Sequence, residues 1–177
     1  MKYQKTAIVF FVLALIGGPI AADSTATQNF SLSVMEVCVL GVTSNPTELV
    51  IQAPSEGGET PDDVFDDSTY AVYTSIVGNA QTRNITAQWG NSDAAPAGCS
   101  LRLEVTEIGG GNRGSAASEI TMSSTPGTII SSIGSCATGT GSSGAKLKYT
   151  LSVDTLSSLV AGDQKDVTIT LTMTDAS

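Results

Sequence analysis

Val167-Thr168-Ile169-Thr170-Leu171-Thr172-Met173 alternates apolar and hydroxyl side chains without a break. Successive side chains of a β-strand point to opposite faces, so one face of this stretch is apolar and the other carries threonines. The same period runs through Leu101, Leu103 and Val105, with Arg102, Glu104 and Thr106 between them. It recurs at Leu147, Tyr149, Leu151 and Val153. Tyr70–Val77 alternates as a strand covered on both faces, Gly78-Asn79-Ala80 turns it, and Arg83–Trp89 returns. Shorter strands are expected at Leu49–Ile51, around Ile120 and Met122, and over Thr128–Ile133. Turns or loops fall at Asn45-Pro46, Gly109–Gly114, Pro126-Gly127 and Gly139–Gly144. A single helical turn over Thr155–Val160 is the only helical signal. The pattern predicts an all-β chain: an Ig-like, Greek-key β-sandwich of about eight or nine strands.

The N-terminal residues set the expected compartment. Lys2 and Lys5 precede an apolar run from Ala7 to Ile16, and Gly17-Gly18-Pro19 leads to Ala21-Ala22. A basic start, a short apolar middle and a small-residue exit make a secretory signal peptide. About ten apolar residues are too few to span a bilayer. The expected organisation is a signal peptide at 1–22 and one domain at 23–177, secreted or held at the cell surface. No membrane span is expected after cleavage. Loss of Lys2 and Lys5 leaves six basic residues against seventeen acids, a net charge of −11. That surface repels phosphate backbones and argues against nucleic-acid partners.

The chain has no histidine, which removes the usual general base and imidazole ligation of metals. No phosphate-binding loop or thiolate cluster is present, so neither an enzyme nor a cofactor is expected. Asp62, Asp63, Asp66 and Asp67 are the candidate oxygen ligands for a cation. Their spacing is not that of a calcium loop, and they read as a solvated acidic loop. Trp89, before Gly90-Asn91-Ser92-Asp93, either caps the core or offers a stacking platform. Asn29-Phe30-Ser31 and Asn84-Ile85-Thr86 match glycosylation acceptors.

Export permits disulfides. Cys99 and Cys136 both sit in Gly/Ser-rich contexts and are the expected pair, worth on the order of 4 kcal/mol by loop entropy. Cys38 lies in an apolar run and reads as a small buried hydrophobe.

Asp23–Gln28 is polar and leads into Phe30-Ser31-Leu32-Ser33-Val34. Phe30, Leu32 and Val34 share one face, and the pattern slips at Val34-Met35 before resuming through Val37 and Val39. Such a strand either pairs in its own sandwich or is donated to another sheet's groove, with main-chain bonds and alternate side-chain pockets holding it. An exported Thr/Ser/Gly-rich β-domain with this N-terminal strand running into a cysteine, and a closing strand like Val167–Leu171, resembles spore-coat-U-type and archaic chaperone–usher pilin subunits. The resemblance covers the two ends of the chain, about a fifth of it. The middle, including Tyr73–Val77, is similar instead to small exported β-proteins of Bacteroidetes-type bacteria. The resemblance implies a structural or adhesive subunit of an extracellular fibre, pilus or matrix, self-associating through a mobile strand at 23–34 or meeting cell-surface partners. The alternative is a monomeric secreted carbohydrate- or protein-binding module.

Overall fold

The alternating segments pair as antiparallel strands in two sheets. The computed structural model describes residues 25–44, 46 and 48–176. The expected signal peptide at 1–22 lies outside them, and the Asn45-Pro46 turn does so in part. The chain divides at Ser33/Val34 into two units. Of the first, the described residues 25–33 belong to no helix or sheet, and the strand expected at Phe30–Val34 does not form there.

The second unit carries ten strands: β1 (Val37–Val42), β2 (Val64–Ile76), β3 (Arg83–Trp89), β4 (Cys99–Glu107), β5 (Ser115–Ala116), β6 (Ile120–Thr121), β7 (Gly127–Ile133), β8 (Cys136–Ala137), β9 (Ala145–Val153) and β10 (Ile169–Asp175). One sheet has the order β1-β2-β9-β4-β6, with β8 also paired to β2. The other has the order β10-β3-β7-β5. Helical structure among the described residues is two short 3₁₀ turns, Gly141–Ser143 and Leu156–Ser158. The second lies within the single turn expected at Thr155–Val160.

The inward faces follow the sequence periodicity. Ala71 and Tyr73 of β2, Ile85 and Ala87 of β3, Leu101, Leu103 and Val105 of β4, and Leu147, Tyr149 and Leu151 of β9 are buried. Trp89 packs against this core from the end of β3, as a cap does. Strand β7 breaks the alternation, with Ile129, Ile130 and Ile133 all buried. A bulge explains the break: Arg83 faces Ile133 but Ile85 faces Ile130, and Ser132 sits at φ 59. The Ser132 N–H donates to Asn84 Oδ1 at 3.2 Å, which steadies that unusual backbone.

Two expectations are corrected. Leu49–Ile51 forms no strand; Leu49 packs against the core from irregular chain. The acidic stretch expected as a loop is largely strand, because Val64–Ile76 is one thirteen-residue element with a bulge between Asp66 and Thr69. The Ser68 N–H and hydroxyl both donate to Asp66 Oδ1, at 3.0 and 2.8 Å, and close the bulge.

The expected Cys99–Cys136 bridge is also overturned: all three cysteines are free thiols. Cys99 pairs with Val153 at one end of β9, whereas Cys136 pairs with Ser75 of β2, beyond the other end where Ala71 meets Ala145. Counting along the ladder places the two about twelve residues apart, roughly 40 Å at the rise of a strand. A disulfide needs Cα atoms within about 7 Å. Gly/Ser-rich surroundings mark turns but not which end of the sheet a turn occupies. A non-reduced digest is therefore expected to yield no Cys99–Cys136 crosslinked peptide; such a peptide as the main species would refute this strand order.

Burial pushes the phenols of Tyr73 and Tyr149 up to about 12. Tyr73 also donates its O–H to the Arg113 carbonyl at 2.6 Å. The unfolded chain loses these protons near pH 10, so the stability they contribute is intact below pH 10 and lost as pH rises through about 12. Thermal unfolding followed from pH 9 upward should show Tm falling over that window, with phenolate absorbance appearing together with unfolding. Tyr149→Phe should reduce the fall by roughly half.

Candidate functional site

Strands β1 and β10 are the edges of their respective sheets, and each pairs on one side only. Cys38, Leu40 and Val42 of β1 lie opposite Ser75, Tyr73 and Ala71 of β2, all buried, so these three side chains point inward. On β10, Ile169, Leu171 and Met173 lie opposite Trp89, Ala87 and Ile85 and point inward likewise. Neither row is buried. Cys38, expected to be buried, is exposed. Its side chain has the parity of a core residue, but no strand covers that edge.

The two rows face each other across a cleft of about 470 Å³ lined by Cys38, Leu40, Val42 and Ile169 to Met173. Past Val42 and Ile169 the cleft widens into a larger one of about 1230 Å³, reached by Leu49, Trp89, Tyr149 and Val167. Thr69 of β2 lines this wider part. Its side chain is 1% exposed and Oγ1 has no hydrogen-bond partner. A buried hydroxyl left unpaired costs on the order of 1–3 kcal/mol, so this wall lacks a polar contact.

The opposite end of the cleft is closed. The Arg83 side chain is almost wholly buried. Its Nη2 donates to Glu36 Oε1 at 2.7 Å, its Nε to Asp175 Oδ1 at 3.0 Å, and its Nη1 to the carbonyl of Val37. The guanidinium thus ties the start of β1 to the end of β10. Burial works against its charge, but the bonds to Asp175 and the nearby Cys38 and Glu36 outweigh that and raise its pKa above the ordinary value. At this end the Cys38 thiol donates to the Met173 carbonyl, with Sγ 3.8 Å away.

The segment expected to polymerise is exposed. Phe30 is 73%, Leu32 91% and Val34 82% exposed, and Met35 is exposed beside them. The acidic candidates do not converge on a cation. Asp63 accepts the Ser152 hydroxyl at 2.8 Å and the Val153 N–H at 3.1 Å, and Asp67 pairs with Lys146 at 2.7 Å. Asp66 is occupied by Ser68, and Asp62 is exposed. Among the described residues no group of three acidic, Cys or His side chains is placed to hold a metal. No described helix is long and apolar enough to cross a membrane.

Sequence reasoning missed the cleft walls, Thr69 and Arg83. Alternation in Ile169–Met173 says which side chains face inward but not whether a neighbouring strand covers them. For Arg83 a signal was present: it shares the face of Ile85 and Ala87, a cation on an apolar row. No protein-family model matches the chain, and neither the curated proteins nor the solved structures contain a match to it.

Arg83→Met keeps much of the stem's volume but removes the guanidinium bonds that tie the start of β1 to the end of β10. It should lower Tm by several degrees and speed hydrogen exchange at Val37 and Asp175. Glu36→Gln should cost far less, because Glu36 is half-exposed. Equal effects of the two substitutions would show that the clamp does not hold the strand ends.

Proposed function

We propose that the chain is a non-enzymatic structural or adhesive subunit of an extracellular fibre, pilus or matrix. In this reading it is exported by the signal peptide at 1–22 and assembles by receiving residues 28–34 of a second copy between β1 and β10. The observation that carries it is the match between two uncovered edges and one exposed segment of alternating sequence. Three inward side chains on each edge stand two residues apart along their strands, and so do Phe30, Leu32 and Val34. Burying those three is worth on the order of 5 kcal/mol, and main-chain pairing to an edge strand adds register.

The strand order supports the reading. In this reading the run β1-β2-β9-β4 takes the places of strands A-B-E-D of an Ig-like Greek key, and the pair β3-β10 those of strands C and F. On this assignment the strand that follows F, the one that would cover β10, has no counterpart among the described residues.

A monomeric carbohydrate- or protein-binding module is the second reading. The wide part of the cleft favours it, with Trp89 and Tyr149 on its walls and a volume large enough to admit a small ligand.

Leu32→Asp separates the two readings. A carboxylate in the apolar slot should abolish assembly, and because Leu32 is exposed in the subunit the monomer should keep its circular dichroism and Tm. A wild-type protein that stays monomeric at high concentration, with no filaments by electron microscopy, would overturn the fibre reading and leave the binding module standing.

A further inference from the structure

Resting on the second of these readings, the binding module, we infer that the cleft takes a small apolar molecule with an alkyl chain and one uncharged hydroxyl head, a long-chain alcohol in chemical class. The chain lies in the narrow part between β1 and β10, and the head rests in the wide part beside Thr69.

The narrow part suits a chain. Apart from the Cys38 thiol, which already donates to the Met173 carbonyl, the inward side chains of both rows are apolar. From Ile169 to Met173 the slot runs four steps along a strand, roughly 14 Å. The free N–H and C=O groups of the two edges point sideways in the plane of each sheet, so an occupant between the sheets leaves them in water. No headgroup is drawn to the closed end, because Arg83 already donates to Glu36, Asp175 and the carbonyl of Val37.

The wide part suits the head. Its apolar walls include Leu49, Trp89, Leu151 and Leu171. Thr69 lies on the same wall, and its Oγ1 is the buried side-chain oxygen that lacks a hydrogen-bond partner among the described residues. Thr69 has the inward parity of Ala71 and Tyr73, and rotation about χ1 exchanges its hydroxyl and its methyl. A ligand hydroxyl that meets it there removes the cost of leaving it unpaired.

Charge and polarity narrow the class. The charged side chains along the wide part are Glu48, Asp163 and Asp166 against Lys165, and Lys165 is paired with Asp163 at 2.7 Å. A carboxylate head would meet the remaining acids, whereas a hydroxyl does not. A sugar fits less well, since most of its hydroxyls would be left unpaired over apolar walls. Trp89 packs onto the core and borders the cavity as a wall rather than standing clear as a stacking platform.

Trp89 is the only tryptophan in the chain, so its fluorescence reads occupancy of the cavity. The test titrates the mature protein with dodecanol, dodecanoate and cellohexaose at neutral pH. Every protein carries Leu32→Asp, which under the fibre reading keeps the cleft free of a second copy. Dodecanol should shift Trp89 emission to the blue and raise Tm with its concentration. Dodecanoate should bind several-fold more weakly, and cellohexaose should leave the emission unmoved. Thr69→Val keeps the shape and removes the hydroxyl. It should raise the Tm of the free protein yet weaken dodecanol about five-fold, the loss expected for one neutral hydrogen bond. A merely structural Thr69 would not move the two in opposite directions. Val42→Glu, at a half-exposed position where the narrow part meets the wide one, should abolish the dodecanol response and keep the circular dichroism. Equal dodecanol affinity in Thr69→Val and its parent, or tighter binding of dodecanoate, would overturn the inference. A Trp89 response to cellohexaose without one to dodecanol would overturn it too and leave the binding module standing. Emission unmoved by all three would remove both the inference and the binding-module reading of this cleft.

Discussion

The edge of a β-sheet carries backbone N–H and C=O groups that only another strand, or water, can pair. In this protein two such edges, β1 and β10, face each other over side chains that have the parity of core residues. The rest of the molecule is arranged around that gap. Strands β2 and β3 stand behind the two edges and supply the buried wall, and Arg83 draws the edges together at one end. Because the opposite end is not tied, the cleft is a wedge rather than a slot. A solvent-filled wedge of this kind leaves the apolar rows of both edges in contact with water.

Much of the fold was legible because the side-chain period of a strand is so short. Arg83–Trp89 emerges with the bounds its sequence implies, and the inward rows of β4 and β9 are the ones the alternation marks. Where reading failed, a local signal met a non-local determinant. Leu49–Ile51 is apolar enough for a strand but has no ladder to join. The acids between Pro61 and Thr69 look like a loop by composition, yet β9 pairs with that stretch and Ser152, Val153 and Lys146 engage its carboxylates. The disulfide assignment failed for the same reason, since turn chemistry does not reveal which end of a sheet a turn serves. The candidate strand Phe30–Val34 was visible as a pattern. The cleft was not, because an uncovered edge is a missing neighbour, and a chain's own sequence does not record one.

Arg83 illustrates how a buried cation is kept. Alone on an apolar row it would cost several kcal/mol. It is retained because two carboxylates and a main-chain carbonyl converge on it from both sheets. The carboxylates are themselves partly exposed, so the charge is neutralised without burying all three groups.

The open cleft has a consequence for how such a protein would be policed. No covalent crosslink holds the two sheets, since all three cysteines are free. Whatever seats itself between β1 and β10 adds its binding free energy directly to the stability of the fold. In a fibre built by strand donation, a filled subunit would therefore be the sturdier one and an empty subunit the one that opens more often. Proteases that act on transiently opened chains discriminate on that difference. Assembly and survival would then be decided by a single equilibrium, and a subunit that failed to find its neighbour would mark itself for removal.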